Sequence, residues 1–318
     1  MMRVLFMGTP EFALPCLEAL IDNFDVIGVV TQPDKPKGRG YELSPSPVKV
    51  CAAGHDIPVY QPTTFKNGAF EKELSEIDPD VIVVVAYGKI LPAYVLDYPK
   101  LGCVNVHGSL LPKYRGAAPM QRAIIEGEKV TGVTTMYMAE GLDTGDMLEK
   151  SKVDIAEDDN FENVHDKLAS AGAKLIVSTL KKLENGEITS EKQDDSLSTY
   201  AAKIEKSDCI IDFSSSADKI HDLIRGLSPF PLAYSYLNGK MVKFVASRVI
   251  SRDKQESLPG TVLSLSDGII EIACSEGSVG ITKLLPEGRS RMSASDFING
   301  RKINVGDVFT IPERKDNI

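Results

Sequence analysis

Three side chains in this sequence are of the types that acyl and proton chemistry needs: Asn105, His107 and Asp143. Asn105 and His107 stand two apart, just after the apolar run 101–104, where a strand gives way to a loop. The two-residue period of a strand sets both on one face. An amide donor beside an imidazole can hold a developing oxyanion and move a proton. Asp143 lies in Gly141-Leu142-Asp143-Thr144-Gly145-Asp146, a tight loop able to aim a carboxylate inward. It meets the histidine only if neighbouring strands bring the two loops together. In that case the carboxylate orients the imidazole and favours its protonated form. From Asn105–Pro112 alone, a satisfied histidine at a strand end is as good a reading as a catalytic one. No serine or cysteine occupies a nucleophile elbow, so no covalent acyl-enzyme is indicated, and no metal-ligand spacing occurs. His55, His165 and His221 fall in turn or helix contexts and read as surface or packing residues.

Three further stretches could line a site. Ser109-Leu110-Leu111-Pro112 follows the histidine as a short apolar loop and can form one wall of a ligand slot. Tyr87-Gly88 closes the apolar strand 81–86, where a glycine permits close backbone approach. The segment 32–40 is long for a βα connection, and unusually long loops are often functional. It carries Lys35, Lys37 and Arg39. Taken by themselves those cations describe a solvated surface loop. Gly8-Thr9-Pro10-Glu11-Phe12-Ala13 lacks the second and third glycines of a dinucleotide fingerprint, which excludes a nicotinamide cofactor.

The elements that must position these residues alternate. Strands are expected at 2–7, 25–31, 59–60, 81–86, 101–105, 131–138 and 147–155. Helices are expected at 11–22, 47–53, 70–75, 117–126 and 160–185. This is the pattern of an α/β fold with a doubly wound, mostly parallel, Rossmann-like sheet, which places ligands at the carboxyl ends of its strands. Beyond a polar linker the chain changes character. Short strands (210–213, 240–245, 260–265, 269–273, 279–284, 307–311) and one helix, 217–226, predict a small OB-like β-barrel. The expected division is 1–186 for the catalytic part, 187–206 for the linker and 207–318 for the barrel.

Composition narrows the class. The chain has 318 residues and a net charge of −9, all of it in residues 1–206; the remainder is neutral. An acidic protein is a poor general nucleic-acid binder, while local basic pairs in the neutral part still suit contact with a phosphate backbone. The five cysteines are scattered and form no Cys-x-x-Cys, which fits reduced thiols in a cytoplasmic protein. No secretory signal pattern opens the chain, and the longest apolar run, 81–86, is too short to span a bilayer. Nothing suggests an obligate dimer, so a monomer is expected.

The sequence resembles the methionyl-tRNA formyltransferases, a branch of the 10-formyltetrahydrofolate-dependent formyltransferases. The matching residues are Gly8-Thr9-Pro10-Glu11-Phe12-Ala13, Thr31-Gln32-Pro33-Asp34, Gly38-Arg39-Gly40, Ser44-Pro45-Ser46-Pro47-Val48-Lys49, Val84-Val85-Ala86-Tyr87-Gly88, Asn105 to Pro112, Arg115-Gly116-Ala117-Ala118-Pro119 and Gly141 to Asp146. The Asn105, His107, Asp143 set marks the superfamily; the Arg39 loop and the C-terminal barrel narrow it to the tRNA-acting branch. The resemblance implies that Asn105 and His107 bind the formyl oxygen, with Asp143 setting the histidine's protonation and relaying protons. It further implies that Ser109, Leu110, Leu111 and Pro112, with Tyr87 and Gly88, line the folate site. Lys35, Lys37 and Arg39 would then meet the acceptor end of initiator methionyl-tRNA, with the barrel as a second RNA contact. The implied co-substrate is 10-formyltetrahydrofolate, without a metal, and the implied role is formylation for translation initiation. A nucleotide-sugar or glycinamide ribonucleotide formyltransferase, or an RNA-binding protein with a dead site, would be the alternatives.

Overall fold

The computed structural model describes residues 1–37 and 42–311. The chain divides into two compact units, one of Met1–Pro119, Val130–Asp154 and His165–Ala201, the other of Met120–Lys129, Ile155–Val164 and Ala202–Ile318.

The first unit is built on a seven-stranded sheet: β1 (Arg3–Gly8), β2 (Asp25–Val30), β3 (Val59–Tyr60), β4 (Val81–Val85), β5 (Cys103–His107), β6 (Val130–Tyr137) and β7 (Met147–Asp154), in the spatial order β7-β6-β5-β4-β1-β2-β3. The five strands from β5 to β3 run parallel, and β6 and β7 add an antiparallel edge. Strands buried on both faces must be apolar throughout, and β4 (Val-Ile-Val-Val-Val) is buried at every position. Strand order reverses between β1 and β4, the switch point at which such sheets open a crevice beyond their carboxyl ends. The turns after β1, β4 and β5 therefore share one edge.

Helices flank the sheet. Pro47–Gly54 starts as its sequence dictates, with Ser46 accepting from Lys49 N and Pro47 in the first turn, where no N–H is needed. Phe161–Glu184 buries Leu168, Ala169, Ala173, Ile176, Leu180 and Leu183, the three-to-four spacing of an amphipathic helix. Gly172 allows this helix to approach closely, since a Cβ there would stand 3.1 Å from Val106 of β5.

The second unit carries a curled antiparallel sheet of β8 (Ala233–Leu237), β9 (Lys240–Ser251), β10 (Val262–Ser266), β11 (Ile269–Ala273), β12 (Ser278–Pro286) and β13 (Phe309–Thr310), ordered β10-β11-β12-β9-β8-β13, with Met292–Ser293 paired to β12. Register shifts along β9 and β12 bend these long strands. The bridge Thr261–Val308, with Val262 N donating to Asp307 O and Phe309 N to Gly260 O, brings the two edges together at the start of β10. Helix Ala217–Gly226 supplies Ile220 and Ile224 to a core with Phe213, Phe244 and Phe309.

The expected strand 210–213 is not one: Ile210 makes a single bridge to Tyr234, and Asp212 turns the chain by accepting from Ser214 N. β8 was hidden by Pro229 and Pro231, which punctuate the sequence just before it. Segment 32–40, expected to be a plain loop, begins as a hairpin stem, Lys35–Lys37 against Glu42–Ser44. Residues 187–201 belong to the first unit, where Tyr200–Ala201 pairs in parallel with Arg115–Gly116. Among the described residues no helix is long and apolar enough to cross a membrane.

Candidate active site

β5 ends at His107, which is buried. Its Nε2 lies 2.9 Å from the carbonyl oxygen of Tyr114. A carbonyl only accepts, so Nε2 carries a hydrogen and donates it. Nδ1 then faces Asp143, whose Oδ2 is 3.7 Å away. That separation is an ion-pair distance and too long for a hydrogen bond, which leaves Nδ1 as the ring nitrogen able to serve a substrate. Asn105 stands two residues back on the same strand, half-buried, and no described residue hydrogen-bonds its carboxamide. The structure thus brings His107 and Asp143 together and places Asn105 at the same strand end, its amide without a hydrogen-bond partner among the described residues.

Asp143 is held by two hydrogen bonds. Its backbone is left-handed (φ 52°). Its Oδ2 accepts from Gly116 N at 2.8 Å, and its carbonyl accepts from Gln193 Nε2 at 2.7 Å. Gly116 has φ 119°, and a Cβ there would stand 2.7 Å from Ala201 O and 2.8 Å from the Tyr200 ring, so only glycine fits. Tyr114, whose carbonyl meets the imidazole, is left-handed as well (φ 61°). Strain of this kind gathers at functional sites, where the surroundings must hold it in place.

The loop after His107 is self-braced. Ser109 Oγ donates to Lys113 O at 2.6 Å, while Thr134 of β6 donates to Ser109 O at 2.7 Å and accepts from Leu111 N at 3.1 Å. The Leu111–Pro112 peptide is cis. Ser109 is fully buried, and Leu111 packs with Met136 and Met147. Their side chains therefore frame the loop from within, while Leu110, which lies over Gly132 of β6, and Pro112 are half-buried. Tyr87 is likewise turned inward: its ring is buried, no described residue hydrogen-bonds its hydroxyl, and burial pushes the phenol pKa up. Its backbone carbonyl accepts from Gln32 Nε2 at 2.9 Å and Thr9 Oγ1 at 3.2 Å. Gly88 beside it has φ 79°.

The basic loop is anchored at its base. Lys49 Nζ donates to Asp34 Oδ2 at 2.6 Å and to Gln61 Oε1 at 2.8 Å, and Gln61 Nε2 donates to Asp34 Oδ1 at 2.8 Å. The Lys49 ammonium, then the Gln61 amide, hold the Asp34 carboxyl below its ordinary pKa. Lys35 is exposed and donates to Gln32 Oε1 at 2.8 Å. Lys37 ends the first strand of the hairpin stem, and Arg39 lies outside the described residues.

Sequence reasoning did not single out Tyr114, Gly116, Thr134, Gln193 or the Asp34–Lys49–Gln61 cluster as working parts. Tyr114 and Gly116 act through backbone atoms, which leave no side-chain signature, and Gln193 sits in a polar stretch that reads as linker. Among the described residues no group of His, Cys, Asp and Glu is arranged to hold a metal.

A strand-end amide beside a histidine–carboxylate pair has the kinds of group that acyl transfer uses. Residues 2–180 match the family described as "Formyl transferase", and residues 203–302 match "Formyl transferase, C-terminal domain". The chain belongs to the formyl transferase family and is an enzyme of formyl transfer. Its relatives place it among the methionyl-tRNA formyltransferases. It is 48% identical over 309 residues to that of Clostridium novyi (strain NT), covering 97% of this chain and 100% of the relative. It is 45% identical over 317 residues to that of Bacillus subtilis (strain 168), covering 99% and 100%. A solved N-formyltransferase from Helicobacter canadensis, in complex with folinic acid and dTDP-3-aminofucose, shares the fold with a TM-score of 0.68 at 20% identity, covering 88% of this chain and 99% of that one.

Proposed function

We propose that this enzyme transfers the formyl group of 10-formyltetrahydrofolate to the α-amino group of initiator methionyl-tRNA, with Asn105, His107 and Asp143 as its catalytic residues. The relatives' shared name supports the acceptor. The observation that carries the residue assignment is the imidazole held by Tyr114 O with Nδ1 turned to the Asp143 carboxylate, on the same strand as an amide that no described residue hydrogen-bonds.

The neutral amine attacks the formyl carbon and a C–N bond forms. The carbonyl oxygen becomes an oxyanion, which the Asn105 amide and the His107 Nδ1–H stabilise. The amine's surplus proton passes through a water to Asp143 and on to N10 of the folate, whose bond to the formyl carbon breaks as the intermediate collapses, so Asp143 returns to its starting state. One formyl group and one proton change places, so no oxidant or metal is needed. Leu110 and Pro112, with the backbone at Tyr87 and Gly88, form the folate wall; Ser109 and Leu111 shape it from behind. Lys35, Lys37 and Arg39 meet the acceptor end of the RNA, residues 1–186 serve catalysis and residues 207–318 provide the second RNA contact.

Asp143→Asn tests the assignment. Turnover should fall by about 10²–10⁴-fold, the range for loss of positioned proton transfer, with methionyl-tRNA binding nearly unchanged. Near-normal turnover would remove the assignment.

A further inference from the structure

Gln193 stands in a polar stretch with no chemical signature, yet from Glu191 to Leu197 it is the one residue that is not exposed. Every hydrogen-bonding group of its side chain is used. Nε2 donates to Asp143 O at 2.7 Å and to Gly145 O at 2.8 Å, and Oε1 accepts from Arg115 Nε at 2.9 Å. Arg115 in turn reaches Asp195 Oδ1 through Nη2 at 2.7 Å. The residue after Arg115 is Gly116, whose N–H holds the Asp143 carboxylate. One carboxamide therefore ties the loop that carries Asp143 to the strand that orients it. The loop has little room on its other side, because a Cβ on Gly145 would overlap Tyr137 O.

We infer that Gln193 is a positioning residue for Asp143: it sets the distance from the carboxylate to His107 Nδ1 and touches no substrate. The inference rests on the reading of Asp143 given above. Only an amide meets the demand, two donors toward carbonyls and one acceptor toward a guanidinium. A carboxylate of the same shape would put lone pairs against two carbonyl oxygens, and an apolar side chain would leave those oxygens and Arg115 without their partner.

The test compares Gln193→Leu, Gln193→Glu, Asp143→Asn and the double variant Gln193→Leu/Asp143→Asn, assaying formyl transfer from 10-formyltetrahydrofolate to methionyl-tRNA. Thermal melting run alongside restricts kinetics to temperatures at which each variant is folded. In both single Gln193 variants kcat should fall about 10- to 100-fold, the order that a misplacement of ~1 Å costs, with both KM values within about threefold of wild type. The double variant should be no slower than Asp143→Asn alone, because a residue acting only through Asp143 has nothing further to lose. A double variant slower by the product of the two single effects overturns the inference. So does wild-type kcat in both Gln193 variants while Asp143→Asn is slow. Wild-type turnover in Asp143→Asn would instead sink the site reading and this inference together.

Discussion

Gly116→Ala probes the point where backbone geometry and chemistry meet. At φ 119° an alanine is strained, at a cost of about 1–3 kcal/mol. Its Cβ would also lie 2.7 Å from Ala201 O, a backbone atom that cannot swing aside, and crowding of this kind costs roughly 1–3 kcal/mol. A shift of the Arg115–Gly116 strand away from Tyr200–Ala201 relieves both terms at once, so they do not add in full, and we expect a stability loss of about 2–4 kcal/mol. That same shift withdraws the Gly116 N–H from Asp143 Oδ2, now 2.8 Å away. A hydrogen bond to a charged group contributes about 1.5–3 kcal/mol, which lowers kcat about 10- to 100-fold where the transition state needs that carboxylate in place. Urea denaturation gives the stability and single-turnover formyl transfer gives the chemistry. Full stability and full kcat in Gly116→Ala would refute both the strain argument and the role of this N–H. Lost stability with full kcat would refute the role alone.

Lys49→Met frees Asp34 and Gln61 from the cation that joins them, so the hairpin stem should loosen; the KM for methionyl-tRNA should rise, as in Arg39→Ala, with the folate KM unchanged. A change in the folate KM only would disprove the loop's role. Glu149 gives a pH test. Burial pushes its carboxyl up, but hydrogen bonds from Lys182 and Thr179 outweigh it and hold the group below the ordinary range. A folded pKa below the unfolded value, about 4.3, means stabilisation that is complete above it and lost as pH falls through the folded value. The gap in Tm between wild type and Glu149→Gln should be open at neutral pH and close below about pH 4; a gap independent of pH refutes the pairing.

Much of the frame was legible because it rests on local patterns. The helix 217–226 and the strand 269–273 are read from periodicity and end signals alone, and both lie where expected. Strand β5 and the Gly141–Asp146 loop were visible as separate pieces. Their meeting was not, since it depends on β5 and β6 pairing antiparallel and on a loop that folds back across Gly116. The inward turn of Ser109, Leu111 and Tyr87 was hidden for a related reason: apolar or small residues in a site loop look alike whether they face ligand or core. The bracing by Gln193 spans 50 residues of sequence, and nothing in the composition of 187–206 distinguishes an anchored strand from a linker.

The most direct measurement is formyl transfer from 10-formyltetrahydrofolate to initiator methionyl-tRNA, run beside elongator methionyl-tRNA and free methionine. The account predicts transfer to the initiator alone. No transfer to any of the three, or equal transfer to free methionine, would contradict it and move the acceptor to a small amine.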